Sequence, residues 1–136
     1  MSVAFTVERK PEPPPRITDF EDRLLLIHPR RVMDWTHPDG NQGDAVKADL
    51  VVLDAEDGPE VLHGLAVIQA ALVRVLKQRL AKAGGGQVRT LARLVRIPSK
   101  RNPDNRVWVF EEPTENDVDL AQLYLDEYGD PFATAA

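Results

Sequence analysis

The sequence predicts a mainly β protein built as a small five-stranded barrel, with one helix between the third and fourth strands and another at the C-terminus. Five short segments have the alternating or fully apolar pattern of strands. Two other segments have helical periodicity, and clusters of Gly, Pro, Asn and Asp separate the elements. At 136 residues the chain has the size of one domain.

The two ends of the chain are predicted to lie outside this domain. Residues 1–18 contain four prolines between positions 11 and 15 and almost no apolar periodicity, which is typical of an extended or flexible arm. We therefore predict an arm at 1–18, the domain at 19–128 and a short tail at 129–136.

The first predicted strand is the apolar run Leu24–His28, which ends at Pro29. Residues 34–44 are dense in residues that favour turns and are predicted to form a loop. This loop carries Trp35 and His37.

A hairpin follows. Apolar residues alternate with polar ones between positions 46 and 52, which predicts a half-buried second strand. After a turn at 54–59, the apolar stretch 61–68 predicts a third strand, and Gly64 within it indicates a bulge or kink.

Residues 69–82 are predicted to form an amphipathic helix, because Leu72, Leu76 and Leu80 share one face and three glycines follow at 84–86. This helix is expected to plug one end of the barrel.

The fourth and fifth predicted strands are 87–97 and 107–110, and the basic loop 98–106 joins them. A capping box from Thr114 to Asp117 predicts a last helix that ends near Tyr128. The order β-β-β-α-β-β is that of the oligonucleotide/oligosaccharide-binding (OB) fold. A ferredoxin-like fold needs a helix after the first strand, where this sequence has glycine, proline and asparagine.

Charge is distributed unevenly along the chain. The net charge is −5, yet residues 72–110 contain ten Lys and Arg and one acidic residue, whereas 111–136 contain eight acidic residues and no Lys or Arg. Such a chain can present a local positive surface to phosphates, since salt confines the field of a charge to about 8–10 Å. Simple solvation of a helix and a strand is the alternative interpretation.

Several segments together carry a family resemblance. Leu24–Ile27, Asp44–Asp54 (DAVKADLVVLD), Leu91–Leu94 and Val107–Asp119 (VWVFEEPTENDVD) resemble the small OB-fold single-stranded-DNA-binding proteins of actinobacterial tailed phages. The resemblance covers most of residues 20–126. It implies a phage replication or recombination accessory that coats exposed single strands and needs no cofactor.

Proteins that bind single strands combine a positive groove with aromatic rings on which bases stack. Two tryptophans, a histidine and seven cations are the predicted nucleic-acid-binding residues: Trp35, His37, Lys47, Arg89, Arg93, Arg96, Lys100, Arg101, Arg106 and Trp108. Burial in the barrel is the alternative for the second tryptophan. Arg30 and Arg31 are either groove residues or a solvated strand end, and Arg74, Lys77 and Lys82 are expected on the solvated face of the helix.

Other chemistry has little support in the sequence. The chain has no cysteine, which excludes disulfides, thiolate zinc sites and cysteine nucleophiles. The three histidines lack metal-ligand spacing, and neither a catalytic triad nor a phosphate-binding loop is recognisable. We therefore expect no enzymatic activity and no cofactor. The absence of a signal-peptide pattern and of a long apolar run predicts a cytoplasmic protein, in the host cytoplasm if phage-encoded.

The predicted function is sequence-tolerant binding of single-stranded DNA. Two alternatives stay open. One is a protein-interaction barrel, such as a phage assembly or adaptor subunit that uses the acidic helix, and the other is RNA binding. Host or phage replication proteins are candidate partners, no membrane association is expected, and the sequence leaves self-association open.

Overall fold

A computed structural model describes residue 4 and residues 15–83 and 89–132. The regular elements are a short 3-10 helix (Ile17–Phe20), β1 (Leu24–Thr36), β2 (Gln42–Val52), β3 (Glu60–Val67), α1 (Ala70–Ala83), β4 (Thr90–Pro98), β5 (Arg106–Glu111) and α2 (Glu115–Tyr128). The predicted order of strands and helices is confirmed. Neither of the two α-helices in these ranges has the length and apolar character needed to cross a membrane.

The strands form one antiparallel sheet in the order β3-β2-β1-β4-β5, consistent with an OB-like fold. The predicted barrel is an open sheet, because no ladder joins β3 to β5 within the described ranges. Helix α1 contacts β1, β2 and β5, so it packs across one face of the sheet. In a fully closed barrel, β3 and β5 would pair with each other. Here the apolar face of α1 contributes to the core in place of that pairing.

Strand β1 is much longer than predicted. It continues through Pro29 to Thr36 and pairs with β2 as far as Gln42, so the predicted loop at 34–44 shrinks to a turn at 37–41. The proline is tolerated because the register shifts between Pro29 and Arg31. At such a bulge the ladder is already interrupted, so the missing backbone N–H of proline removes little pairing. Trp35 consequently lies in a strand and not in a loop.

The sheet is covered on both faces. On the inner face, Leu72 and Leu76 of α1 are fully buried against the sheet, as the helical periodicity predicts, and Leu80 is partly buried there. The inner-face core contains Ile17, Leu25, Ile27, Val46, Ala48, Leu50, Val52, Leu65, Val67, Leu72, Val73, Leu76 and Leu94. The outer-face cluster contains Leu24, Leu26, Val51, Leu53, Ala121, Tyr124 and Phe132.

Two residues correct the predicted domain boundaries. Ile17 is 1% exposed and belongs to the inner-face core, so the arm predicted for 1–18 ends before it. Phe132 is 2% exposed and stacks on His28, so the predicted tail at 129–136 begins as part of the domain. A single apolar residue gives no periodicity, which is why neither was recognisable as core. Most of the predicted arm, the glycines at 84–86 and residues 133–136 lie outside the described ranges.

Helix α2 begins as predicted. The Thr114 hydroxyl accepts a hydrogen bond from the Asp117 N–H at 3.2 Å, and the Asp117 carboxylate accepts one from the Thr114 N–H at 3.0 Å. This reciprocal capping satisfies two backbone donors that a helix start otherwise leaves unpaired.

One buried carboxylate joins the three strands of the β1–β2–β3 unit. Asp49 of β2 is 1% exposed and accepts hydrogen bonds from the Arg30 guanidinium of β1 and, at 2.8 Å, from the Gly64 N–H of β3. Both donors lie at bulges, since the register shifts at Pro29/Arg31 and at Ala48/Leu50. Gly64 has φ +72°, a conformation that other residues adopt at a cost.

These contacts also set the protonation of the carboxylate. Burial alone raises the pKa of Asp49, but the hydrogen bonds from Arg30 and Gly64 outweigh it and hold the pKa below its ordinary value. The charged form is thus the one that the fold stabilises.

The exchange Asp49→Asn is expected to lower the free energy of unfolding by about 2 kcal/mol, because it removes the charged acceptor from the Arg30 guanidinium. The measurement is urea denaturation, with the exposed turn variant Asp57→Asn as the matched control. Since the folded pKa is lowered, the stability contributed by Asp49 is complete at neutral pH and declines as the pH falls below about 4. A stability gap that persists unchanged at pH 3 contradicts this account.

Candidate nucleic-acid interface

Two cations face each other on the outer face of the β1–β2 hairpin. Arg31 of β1 lies directly opposite Lys47 of β2. The bulge at Arg30 decides this, because an unshifted register would place Arg30 opposite Lys47 and turn Arg31 toward the core. Lys47 points away from the core as predicted, and its Cε lies 3.4 Å from where a Cβ on Gly64 would stand. Neither cation has a carboxylate partner in the described part of the chain.

Trp35 lies further along the same face. Side chains alternate along a strand, so Arg31, Met33 and Trp35 point to one side of β1. Their cross-strand partners are Lys47, Ala45 and Gly43. We call these six residues the hairpin face.

The indole of Trp35 is half-buried, and its Nε1 is buried without a hydrogen-bond partner. A buried indole N–H normally has an acceptor. Among the described residues this donor has no acceptor.

His37 follows β1 and begins the turn. Its N–H donates to the Asn41 carbonyl at 2.8 Å, and its Nε2 lies 3.4 Å from the position that a Cβ on Gly43 would occupy. The missing side chain of Gly43 thus allows the imidazole to fold over the end of the hairpin face.

Arg89, which directly precedes β4, forms an ion pair with the C-terminal segment. Arg89 donates to both carboxylate oxygens of Asp130, at 3.1 and 2.6 Å, and lies 2.7 Å from His28 Nδ1. Its guanidinium also stacks 5.1 Å from the centre of the Phe132 ring. The hydrogen bonds from Arg89 hold the pKa of Asp130 below its ordinary value.

The two arginines of β4 also form ion pairs with acidic residues. Arg93 donates to Asp54 at 3.0 Å and to Asp117 at 2.7 Å, which ties α2 to the sheet. The Thr114 N–H and then Arg93 hold the pKa of Asp117 low, although burial opposes them. Arg96 pairs with Glu21 and lies 5.0 Å from the centre of the Trp108 ring.

The ring of Trp108 is partly buried. It packs against the inner-face core, and the Arg96 guanidinium lies over it. Burial, the alternative interpretation of this tryptophan, describes its surroundings better than exposure does.

The remaining predicted cations, Lys100, Arg101 and Arg106, are exposed at the β4–β5 connection and pair with no carboxylate of the described chain. Leu24 pairs with Arg93 and the strands are antiparallel, so this connection lies beyond the start of β1. The hairpin turn lies beyond its other end, so the thirteen residues of β1 separate the two along the strand.

The ten predicted residues thus fall into three groups, and the fold does not gather them in one furrow. Trp35, His37 and Lys47 lie together at the hairpin face and its turn. Arg89, Arg93 and Arg96 bind acidic residues, and the loop cations lie beyond the other end of β1. Arg31, which sequence reasoning left undecided, joins the first group. The sequence signal for the placement of Arg31 was Pro-Arg-Arg at 29–31, because a proline inside a strand indicates a bulge.

Comparisons of the chain with family models, with curated proteins and with solved structures gave no match.

Removing a paired arginine is expected to cost stability, whereas removing an exposed loop cation is not. Arg93→Ala should lower the free energy of unfolding by roughly 1–3 kcal/mol, since it removes the charged donor shared by two carboxylates. Lys100→Ala should change it by less than about 0.5 kcal/mol. Urea denaturation measures both, and a double-mutant cycle with Asp117→Asn isolates the pair. Equal effects of the two alanine variants contradict the assignment.

Proposed function

We propose that the protein binds single-stranded DNA on the hairpin face without strong sequence preference. The observation that carries this proposal is the cross-strand pair of Arg31 and Lys47, neither of which forms an ion pair with a carboxylate of the described residues. Like charges directly opposite each other destabilise a sheet. A phosphate bound between the two side chains relieves that repulsion, so the site favours an anion.

Trp35 supplies the second part of a single-strand site. Its ring lies on the same face as the two cations, with Met33 and Ala45 between them. Stacking of a base on an aromatic ring is worth about 1–3 kcal/mol and tolerates any base, because every base has a π-face. Paired bases in a duplex do not offer that face, so the arrangement favours an unpaired strand.

The wider role follows from the family resemblance and is part of the same proposal. The chain acts as a phage replication or recombination accessory, without catalysis or a cofactor. DNA and RNA offer the same phosphates and bases, and a 2′-hydroxyl contact is what separates them. Direct competition between matched DNA and RNA oligonucleotides decides this preference.

Removing the two cations is expected to weaken binding to all sequences alike. In fluorescence anisotropy with an oligo-dT, the double variant Arg31→Ala/Lys47→Ala should bind more weakly. The slope of log K against log salt should fall in magnitude by about 0.7 for each cation removed.

The matched control is Arg79→Ala, which removes one exposed cation of α1 away from the hairpin face and should leave affinity and slope unchanged. Two results overturn the proposal. One is the absence of any oligo-dT binding at about 50 mM salt, and the other is an unchanged affinity in the double variant.

The two tryptophans allow the site to be located directly, because the chain contains only these two. Trp108→Phe leaves Trp35 as the sole indole, and its fluorescence should be quenched on addition of oligo-dT. In Trp35→Phe the quenching should disappear. Trp35→Ala should weaken binding by about 10- to 100-fold, the equivalent of one stacked base. Quenching that survives in Trp35→Phe and is lost in Trp108→Phe places the ligand elsewhere.

A second candidate is protein interaction through α2. Leu123 is 65% exposed and Tyr128 is 61% exposed, on a helix that carries acidic residues and no basic ones. Exposed apolar residues of this kind are typical of contact surfaces. A partner recovered from nuclease-treated lysate and lost with Leu123→Ser, together with no affinity for oligo-dT, favours this function over the first.

A further inference from the structure

A cleft of about 460 Å³ lies between the hairpin turn and the first turns of α1. The residues that define it are His37, Gly43, Asp44, Val73, Arg74 and Lys77. Its volume is in the range of sites that hold small ligands. None of the contacts proposed above uses it.

The walls of the cleft combine an apolar floor with polar groups at the rim. Val73 is nearly fully buried and forms part of the floor together with Ile68. Lys77 is held by Asp44 at 2.6 Å, whereas the exposed Arg74 has no carboxylate partner among the described residues. An apolar surface beside an unpaired guanidinium suits a flat ring that carries an anionic group.

The positive end of α1 adds to this preference. The cleft includes Ala70, the first residue of the helix, where backbone N–H groups have no partner within the helix. A helix start favours an anion by its dipole and its free donors. The helix start thus adds to the attraction of Arg74 and His37 for an anion, and these two side chains remain the main contacts.

The cleft adjoins the β1–β2 hairpin near Trp35. A second cleft, of about 390 Å³, is lined by Trp35 and its neighbours and shares Gly43 and Asp44 with the first. Trp35 lies directly opposite Gly43 in the β1–β2 ladder. Between Trp35 and the cleft lie Gly43 and the imidazole of His37, so a strand that stacks on Trp35 reaches the cleft beside His37.

We propose that the cleft binds the terminal nucleotide of a strand that lies on the hairpin face, with Arg74 and His37 contacting a terminal phosphate monoester. This inference rests on the proposed function and adds recognition of a strand end. A phosphate monoester carries between −1.5 and −2 charges at pH 7, more than an internal diester, so an unpaired guanidinium distinguishes the two.

The test compares short oligo-dT strands of about eight nucleotides with a 5′-phosphate, with a 3′-phosphate or with hydroxyls at both ends. One of the two phosphorylated strands should bind about 5- to 10-fold more tightly than the hydroxyl-ended strand. In Arg74→Ala that ratio should fall to about one, and Arg74→Lys should keep part of it. The control Arg79→Ala should keep the ratio of the unaltered protein.

Equal affinity for all three strands overturns the inference and leaves the proposal of single-strand binding intact. A ratio of phosphorylated to hydroxyl-ended affinity that is unchanged in Arg74→Ala has the same consequence. If no strand binds at all, the proposed function fails, and thymidine monophosphate then tests the cleft by itself. Shifts of the Arg74 and His37 amide resonances on titration of this nucleotide support a nucleotide site, and their absence overturns it.

Discussion

The buried carboxylate of Asp49 is the contact on which the rest of the arrangement depends. It accepts hydrogen bonds from Arg30 and from the Gly64 N–H, and these two donors lie at the two bulges of the β1–β2–β3 unit. A buried charge is tolerated when it is paired and hydrogen-bonded. The same pairing fixes the extra residue at Arg30, and that extra residue turns Arg31 to the outer face opposite Lys47.

The chain is acidic overall, and this is compatible with an anion-binding surface because several acidic residues are paired with arginines elsewhere in the fold. Asp130 binds Arg89, and Asp54 and Asp117 bind Arg93. These ion pairs fasten α2 and the C-terminal segment to the outer face of the sheet. The two cations of the hairpin face form no ion pair with the described acidic residues, although the net charge of the chain is −5.

The two tryptophans show how the surroundings of a ring decide what it can do. Trp108 packs against the inner-face core, and the guanidinium of Arg96 lies over its ring. Trp35 lies near the end of a long strand, beside a cleft and with a buried indole N–H that has no acceptor. Both residues occur in strands, so the difference comes from their neighbours and not from the element.

The order of strands and helices, the apolar faces of α1 and β2, the capping of α2 and the outward direction of Lys47 were all predictable from the amino-acid pattern. These properties depend on periodicity and on residues a few positions apart. The length of β1, the outward turn of Arg31 and the pairing of Arg89, Arg93 and Arg96 with acidic residues depend instead on the packing of distant segments. The partners of Arg96 and Arg93 lie 75 and 24 positions away in the chain. Such pairings depend on register and packing between distant segments, which local patterns do not encode.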